Sequence, residues 1–380
     1  MKKKGLDGDE LEYQRIVAER AEALQQTHEV SRTRSGLKAA VRNQAFLSGL
    51  QKLLTASPLP RALPYRGRKA KRTQRILNLM LSDLHYGSDI TAEETQDTYG
   101  SVEEARRTAA VVTTTADWKR QYRSETVLYV HLLGDIIEGK LHDVEAAAPL
   151  TEQFQRALWN LGQGLRFLAS EFQTVHVTAV PGNHGRNKVR HPDRAVSQKW
   201  DSIENMLYSG LKMQLEAACP NVIFDIPLTP YYVYMAFDRK GWMTHGDTVL
   251  NVGYPNKAIN IDRLQKQVLQ INAGEIGHGR PPCDLFGAGH VHVASATRIP
   301  SSAVIVTNGC LVPSGHFGQS IGLMQASCCQ QIWESVPGII YGHRMDILVG
   351  TDTDKDSSLD RVVKPYQSPA VFGGSGGRGG

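Results

Sequence analysis

The chain lacks the features that mark membrane and secreted proteins. Its 380 residues contain no uninterrupted apolar run that approaches the roughly 18 residues needed to cross a bilayer. The N-terminus carries basic residues, but no apolar stretch follows them, so we expect neither a signal peptide nor a membrane span. The sequence therefore predicts a cytoplasmic protein.

Cysteine is scarce and is not arranged in pairs. The chain has five cysteines, an odd number, and none of them belongs to a C-x-x-C motif. Cys328 and Cys329 are adjacent, which makes them poor candidates for a bridge between themselves. This usage fits a reducing compartment.

The rest of the composition is that of a globular protein, with 41% apolar and 21% charged residues and no internal repeat. Residues 8–56 have helical spacing of their apolar positions, and we expect a helical N-terminal segment over 1–56. Proline, glycine and basic residues predict a linker at 57–73, followed by the main domain at 74–350. Residues 351–380 are expected to form a flexible glycine-rich tail.

In the main domain, short apolar runs alternate with longer amphipathic stretches. Runs such as "RILNLMLSDLH" and "TVLYVHLLGD" predict buried strands. Helices are expected at 102–121, 151–170, 196–217 and 256–272. Alternation of strands and helices indicates crossover units, and therefore an α/β fold.

Charge is distributed unevenly, although the formal net charge is only +5. The stretch "RALPYRGRKAKRTQR" at 61–75 holds seven basic residues and no acidic one. A second basic cluster at 186–199 contains Arg186, Lys188, Arg190, Arg194 and Lys199, opposed only by Asp193. Such clusters are either solvated surface or attract polyanions, and their position relative to a site decides between the two.

Each strand-like run of the main domain ends in polar residues of one chemical kind. They are Asp83 and His85 in "SDLHYG", Asp135 in "LGDIIEG", Asn183 and His184 in "PGNHGR", His245 in "THGD", and His290 and His292 in "GAGHVHVA". Any one of them could be a strand cap or a core histidine. In open α/β sheets, however, functional groups collect beyond the carboxyl ends of the strands, so we expect all five endings to meet in one crevice.

The chemistry of these side chains favours a metal site. They offer oxygen and imidazole donors without a thiolate, a set that suits two divalent ions such as Mn²⁺, Fe²⁺ or Zn²⁺. Glycines beside them would let the backbone turn tightly and approach the ions closely: Gly134, Gly182, Gly246 and Gly289.

In their order along the chain, these blocks resemble those of the calcineurin-like metallophosphoesterases: D-x-H, G-D-x-x-[DE], G-N-H-[DE], a lone H and G-H-x-H. The resemblance spans about 75–310 and includes all five blocks. It implies two mixed β-sheets packed face to face with flanking helices. It also implies phosphoester hydrolysis with two divalent ions, Mn²⁺ first and Fe²⁺, Zn²⁺ or Ni²⁺ as alternatives.

The resemblance also implies a role for each matched residue. The first ion would be held by Asp83, His85, Asp135 and His292, and the second by Asp135, which bridges both, with Asn183, His245 and His290. His184 would be the histidine that stands beside the phosphate and serves as a catalytic acid. One position departs from the family: Gly185 stands where the third block has an acidic residue, so the usual partner of His184 is missing. Asp247 is the candidate substitute.

The substrate class depends on the basic cluster, because it begins immediately after His184 and so at the rim of the expected crevice. Arg186, Lys188 and Arg190 are predicted to contact the phosphates of a polyanion. Three aromatic residues are candidates to stack on bases: Tyr86, Trp200 and Tyr254. We therefore favour a nuclease, of the kind represented in the family by SbcD-type enzymes, with nucleic acid as substrate.

Two alternatives stay open at this point. One is a phosphomonoesterase that acts on nucleotides or phosphoproteins. The other is a catalytically weak metal-bearing binding protein. Residues 1–56 could bind a second copy of the chain, a protein partner or DNA, or could only pack as an arm, and the sequence does not separate these roles.

Overall fold

The structure, a computed structural model, describes residues 65, 75–92, 97–122, 125–139, 147–186, 199–253, 259–300, 303–314 and 327–367. The chain divides into two units, Met1–Pro58 and Leu59–Gly380, and all described residues belong to the second. The predicted helical segment at 1–56 lies outside the described residues, as does the predicted linker at 57–73 apart from Tyr65. Both stay predictions.

The strands described are, in chain order, β1 Arg75–Leu81, β2 Glu125–Leu132, β3 Thr174–Ala179, β4 Val222–Asp225, β5 Tyr231–Ala236, β6 Arg239–Thr244, β7 Leu285–Ala288, β8 Ser295–Arg298, β9 Val304–Thr307, β10 Cys329–Ser335 and β11 Arg344–Leu348. They form a six-stranded sheet, β11-β10-β1-β2-β3-β4, and a five-stranded sheet, β5-β6-β7-β9-β8. Both sheets are mixed. Neighbouring strands from β1 to β4 are parallel, as are β6, β7 and β9, while the remaining pairs are antiparallel.

The helices described are α1 Ser101–Tyr122, α2 Leu150–Glu171, α3 Ile203–Ala218, α4 Ile261–Gly277 and α5 Thr351–Lys355, with a 3₁₀ turn at Ser357–Arg361. The first three are the crossovers that join β1 to β4, and they pack side by side. Two helices begin later than predicted, because side-chain caps fix their starts. The Ser202 hydroxyl accepts from Asn205 N (3.1 Å), and the Asn260 side chain accepts from Arg263 N (2.9 Å).

The core joins the two sheets into a sandwich. Met80 and Trp333 of the first sheet form one buried cluster with Met243, Leu285 and Val306 of the second. Burial of these apolar faces is the main favourable contribution to packing one sheet on the other. The predicted arrangement, two mixed sheets packed face to face with helices outside, is confirmed.

The predicted tail differs from the structure over 351–367. These residues form α5 and the 3₁₀ turn, and both pack on α1. The fully buried guanidinium of Arg107 pairs with Asp354, and Arg106 Nε donates to Asp360 Oδ1 (2.9 Å). The glycine-rich end at 368–380 lies outside the described residues.

All five cysteines are buried as thiols, outside any disulfide. Within the described ranges, no helix is both long enough and apolar enough to cross a membrane.

Candidate metal centre

The predicted metal ligands and His184 all lie directly beyond the carboxyl ends of strands. In the first sheet, β1 is followed by Asp83 and His85, β2 by Asp135, and β3 by Asn183 and His184. In the second sheet, β6 is followed by His245, and β7 by His290 and His292. Because these strands are parallel within each sheet and the sheets face each other, their endings converge on one edge of the sandwich.

The donor atoms converge in three overlapping groups that could each hold a metal ion. In each group, the donor atoms lie within 4.8 Å of one another: Asp83, His85 and His292; His85, Asp135 and His184; Asp135, His245 and His290. Asp135 belongs to two of these groups, and His85 also belongs to two. The cluster is therefore continuous, with Asp135 near its middle.

One half of the cluster is formed by Asp83, His85 and His292. His292 Nε2 lies 3.4 Å from Asp83 Oδ1 and 3.3 Å from His85 Nε2. The other nitrogen of His85, Nδ1, lies 2.8 Å from Glu138 Oε2, so a carboxylate fixes the orientation of the ring and leaves Nε2 facing the cluster. The backbone N–H of His290 donates to Asp83 Oδ2 (2.9 Å), which ties the two sheets together here.

The other half is formed by Asp135, Asn183, His245 and His290. His245 Nε2 lies 3.0 Å from Asp135 Oδ2 and 2.9 Å from Asn183 Oδ1. His245 Nδ1 donates to the carbonyl oxygen of Leu133 (2.7 Å), which assigns the proton to Nδ1 and leaves Nε2 for a ligand. His290 Nδ1 is buried and has no hydrogen-bond partner in the protein. A buried imidazole nitrogen without a partner is unfavourable unless an ion or water fills the gap, so this atom fits a metal ligand.

The electrostatics of the cluster favour bound cations. Burial opposes the charge on Asp135, but His245 and His184 hold the pKa of that carboxyl well below its usual range. Burial likewise opposes the charge on Asp83, and its contact with His292 keeps the pKa of Asp83 low. Against the effect of burial, Asp135 raises the pKa of His245 to about 9. Two ionised carboxylates are thus buried side by side, an arrangement that requires positive charge between them.

Backbone strain is concentrated at the same residues. Six non-glycine residues of the described ranges have positive φ, and five of them are in the cluster: Asp83 (55°), His85 (50°), Asp135 (50°), His290 (72°) and His292 (59°). Such conformations cost about 1 to 3 kcal/mol each and persist where the surroundings impose them, typically at functional sites. These positive φ angles let side chains two positions apart in one loop, such as Asp83 and His85, face the same cluster.

Two glycines are required by close approach. A Cβ atom at Gly182 would lie 2.1 Å from Asp135 Oδ1, and one at Gly289 would lie 2.6 Å from Asp83 Oδ2. Any larger residue would displace a carboxylate of the cluster.

His184 is held by Glu138 rather than by the predicted substitute. Its Nδ1 donates to the backbone carbonyl of Glu138 (2.7 Å), and its backbone N–H donates to Asp135 Oδ1 (2.8 Å). The prediction that Asp247 orients this ring is wrong, because Asp247 forms an ion pair with Lys199. The His184 and His85 rings meet edge to face, with centroids 4.5 Å apart. His184 therefore faces the cluster while its Nδ1 is occupied by the hydrogen bond to the Glu138 carbonyl.

Three buried side chains that support the ligand loops were not predicted. Each comes from the first turn of a crossover helix and accepts from loop backbone: Glu104 from Gly87 N (2.6 Å), Gln153 from Gly139 N (2.7 Å), and Glu204 from both Ile136 N and Gly182 N (2.6 Å each). Burial and the nearby Asp135 raise the pKa of Glu204 to about 7, against which the two amide donors stabilise its carboxylate form. The sequence signal that could have found these residues is their position: each lies in the first turn of a helix that follows a ligand loop.

The predicted rim residues are only partly described. Arg186 is half-buried, and its backbone bridges that of Ser202. Lys188, Arg190 and Tyr254 lie outside the described residues. Lys199 does not project freely, because its side chain is 8% exposed and paired with Asp247.

The aromatic candidates differ in exposure. Tyr86 is fully buried, with its hydroxyl bonded to Thr108, so it is a packing residue, the other role open to it from the sequence. Trp200 is 43% exposed and is available for contact.

No family model matches the chain, and no curated protein sequence matches it either. Among solved structures, the chain is similar to a dimetal phosphatase from Danio rerio, with 12% identity, coverage of 72% of this chain and 98% of that one, and a TM-score of 0.35. It is also similar to a 5'-nucleotidase from Candida albicans SC5314, with 10% identity, coverage of 71% and 48%, and a TM-score of 0.33. A third similar structure is Vps29 from Chaetomium thermophilum, with 9% identity, coverage of 73% and 98%, and a TM-score of 0.27. These likenesses are distant, so function is inferred from the geometry of the site.

Proposed function

We propose that the protein is a metal-dependent phosphoesterase of the calcineurin-like type, which holds two divalent ions in the cluster around Asp135. The observation that carries the proposal is that Asp135 is shared between two groups of donor atoms, one with His85 and His184 and the other with His245 and His290. A carboxylate in that position is suited to bridge two cations, as paired metal sites require.

The ligands proposed for the first ion are Asp83, His85, Asp135 and His292, and those for the second are Asp135, Asn183, His245 and His290. The unpartnered Nδ1 of His290 and the low pKa values of the two buried aspartates fit this assignment. Oxygen and nitrogen donors without sulfur favour Mn²⁺, with Fe²⁺, Zn²⁺ or Ni²⁺ as alternatives. Two such ions supply, when bound, Lewis-acid activation of water and neutralisation of phosphate charge.

His184 is proposed to act as the catalytic acid. Its Nδ1 donates to the Glu138 carbonyl, so Nε2 is the atom left to hand a proton to the leaving oxygen. Burial opposes the charged ring, but the carboxylates of Asp135 and Glu138 outweigh that effect and raise the pKa of His184. These carboxylates therefore favour the charged ring, which is the form that an acid in this role requires.

Nucleic acid is the proposed substrate, cleaved at its phosphodiester bonds. Support comes from the basic cluster that follows His184 in the sequence, with Arg186, Lys188 and Arg190 as the proposed phosphate contacts, and from the exposed Trp200 beside it. A phosphomonoesterase is the second candidate. The pairing of Lys199 and the burial of Tyr86 favour it, because neither side chain is then available to a nucleic acid.

Parallel assays with Mn²⁺ separate these functions. The substrates are bis-p-nitrophenyl phosphate, p-nitrophenyl phosphate, and single- and double-stranded DNA, each with a chelator control. Turnover of the diester and of DNA, without the monoester, supports the nuclease. Turnover of the monoester alone supports the second candidate, and two bound ions without any turnover would indicate a binding protein.

A further inference from the structure

Glu204 joins two of the ligand loops from outside the metal cluster. Its side chain is fully buried in the first turn of α3. Oε1 accepts from Ile136 N, the residue after Asp135, and Oε2 accepts from Gly182 N, the residue before Asn183. One carboxylate thus joins the backbone of the Asp135 loop to that of the Asn183 loop.

Gly185 and the Glu204 side chain occupy adjoining space. A Cβ atom at Gly185 would lie 2.5 Å from Glu204 Cγ and 2.9 Å from Glu204 Cδ, and its third contact is Glu204 Cβ at 3.2 Å. Gly185 is not among the glycines with positive φ, so its backbone conformation alone would accept a side chain. The Glu204 side chain, and not the backbone conformation, therefore excludes a side chain at position 185.

The start of α3 is tied to the same loop. Ile203 N donates to the Gly185 carbonyl (2.8 Å), and the Ser202 cap closes the first turn. These hydrogen bonds fix the start of α3 and so position Glu204 beside Gly185.

We propose that Glu204 is a positioning residue of the metal centre, and that its carboxylate enters from helix α3 the space that an acidic side chain at position 185 would occupy. This inference rests on the proposed function. It explains how the third block tolerates glycine after His184: the carboxylate that the loops need comes from 19 positions further along the chain.

Loss of this carboxylate would act on metal binding through the backbone. Without it, the amides of Ile136 and Gly182 are buried donors without an acceptor, which is unfavourable in the observed loop conformation. The loops relax, and Asp135 shifts with them. Supporting residues of this kind typically change metal affinity by about 10- to 100-fold.

The first experiment measures Mn²⁺ binding by titration calorimetry, together with the melting temperature of the metal-free protein. We expect Glu204→Gln, which keeps the size of the side chain but loses one acceptor, to weaken Mn²⁺ binding by about 10-fold or more. Glu171→Gln is the matched control, because Glu171 is buried and paired with Arg120 away from the ligand loops, and it should leave the affinity unchanged.

The second experiment exchanges the two positions. Gly185→Asp alone should weaken Mn²⁺ binding, since the new side chain meets Glu204. Glu204→Ala should weaken it as well. Combining Gly185→Asp with Glu204→Ala removes Cγ and Cδ from the contact and should bind Mn²⁺ at least about 10-fold more tightly than Glu204→Ala alone.

Three results would overturn the inference: wild-type affinity in Glu204→Gln, wild-type affinity in Gly185→Asp, or a double variant no tighter than Glu204→Ala. Binding rather than turnover is measured, so these results leave the proposed function standing. Failure of the wild-type protein to bind Mn²⁺ would instead overturn the proposed function, and this inference with it.

Discussion

Asp135 and His245 connect the two sheets at the site, with Asp135 Oδ2 3.0 Å from His245 Nε2. Asp135 follows β2 of the first sheet and His245 follows β6 of the second, so this contact exists only when the sandwich is closed. Both side chains are almost completely buried. Assembly of the metal centre and packing of the sheets are therefore linked in this protein.

The shared position of Asp135 predicts different outcomes for two substitutions. Asp135→Ala should lose bound metal and activity together, because Asp135 is the donor proposed to be shared by both ions. His184→Ala should keep two ions and lose about 10²- to 10⁴-fold in rate, because it removes only the proton donor. Metal analysis of both purified variants is the measurement. Two ions retained by Asp135→Ala would refute the ligand assignment.

Metal removal should destabilise the protein. Asp83 and Asp135 are ionised and buried, and a bound cation relieves the repulsion between them. A ligand that binds only the folded state stabilises it by about 2.7 kcal/mol at 100 times its Kd, so Mn²⁺ should raise the melting temperature and a chelator should lower it. Asp135→Ala serves as the control and should respond little to Mn²⁺. Equal melting temperatures with and without Mn²⁺ would argue against a metal centre here.

The basic cluster predicts a salt-dependent interaction with DNA. Replacing Arg186, Lys188 and Arg190 by Gln should weaken DNA binding and reduce the salt dependence by about one unit of slope for each phosphate that the variant no longer neutralises. Turnover of a small diester should barely change. Lys212→Gln, at an exposed position of α3, is the matched control. Equal reductions on DNA and on the small diester would mean that the segment shapes the metal site instead.

The convergence of the candidate ligands could be predicted from sequence because they follow strand ends in ordered blocks, and strand ends can be recognised from apolar runs. The supporting residues could not. Glu204 looks like an ordinary acidic residue in the first turn of a helix, and only the fold brings it to Ile136 and Gly182. Asp247 lies two residues from His245 in sequence, yet its carboxylate pairs with Lys199, which sequence proximity does not indicate.

The C-terminal boundary of the fold could not be predicted for the same reason, because it depends on contacts between residues distant in sequence. Residues 351–361 are polar and carry no apolar periodicity, so they resemble a tail. In the fold, Asp360 and Asp354 pair with Arg106 and Arg107 of α1, and Leu359 packs on the apolar cluster that includes Ala105 and Ala109. Pairing of charges distant in sequence leaves no local pattern.

His131, which is buried between the two sheets, should make the folded protein less stable as pH falls. Its ring stacks on Trp333 (centroids 5.6 Å apart), and its nitrogens contact the Tyr232 hydroxyl and Asn78 Oδ1. Burial lowers the pKa of His131 from 6.5 to about 3. Between these two values the unfolded chain binds a proton that the folded chain excludes, so stability falls as pH falls, by up to about 1.4 kcal/mol per pH unit from this residue.

Denaturant unfolding of the metal-free protein at pH 7.5, 6.0 and 5.0 measures this effect, with His131→Phe as the comparison. Phenylalanine keeps an aromatic ring against Trp333 and does not titrate. It should therefore be less stable than the wild type at pH 7.5, where it cannot form the hydrogen bonds to Tyr232 and Asn78, yet lose less stability on acidification. The difference between the two free energies of unfolding should narrow steadily below pH 6.5. If the free energies of unfolding of the two proteins fell in parallel with pH, protonation of His131 would not be the cause of the loss of stability.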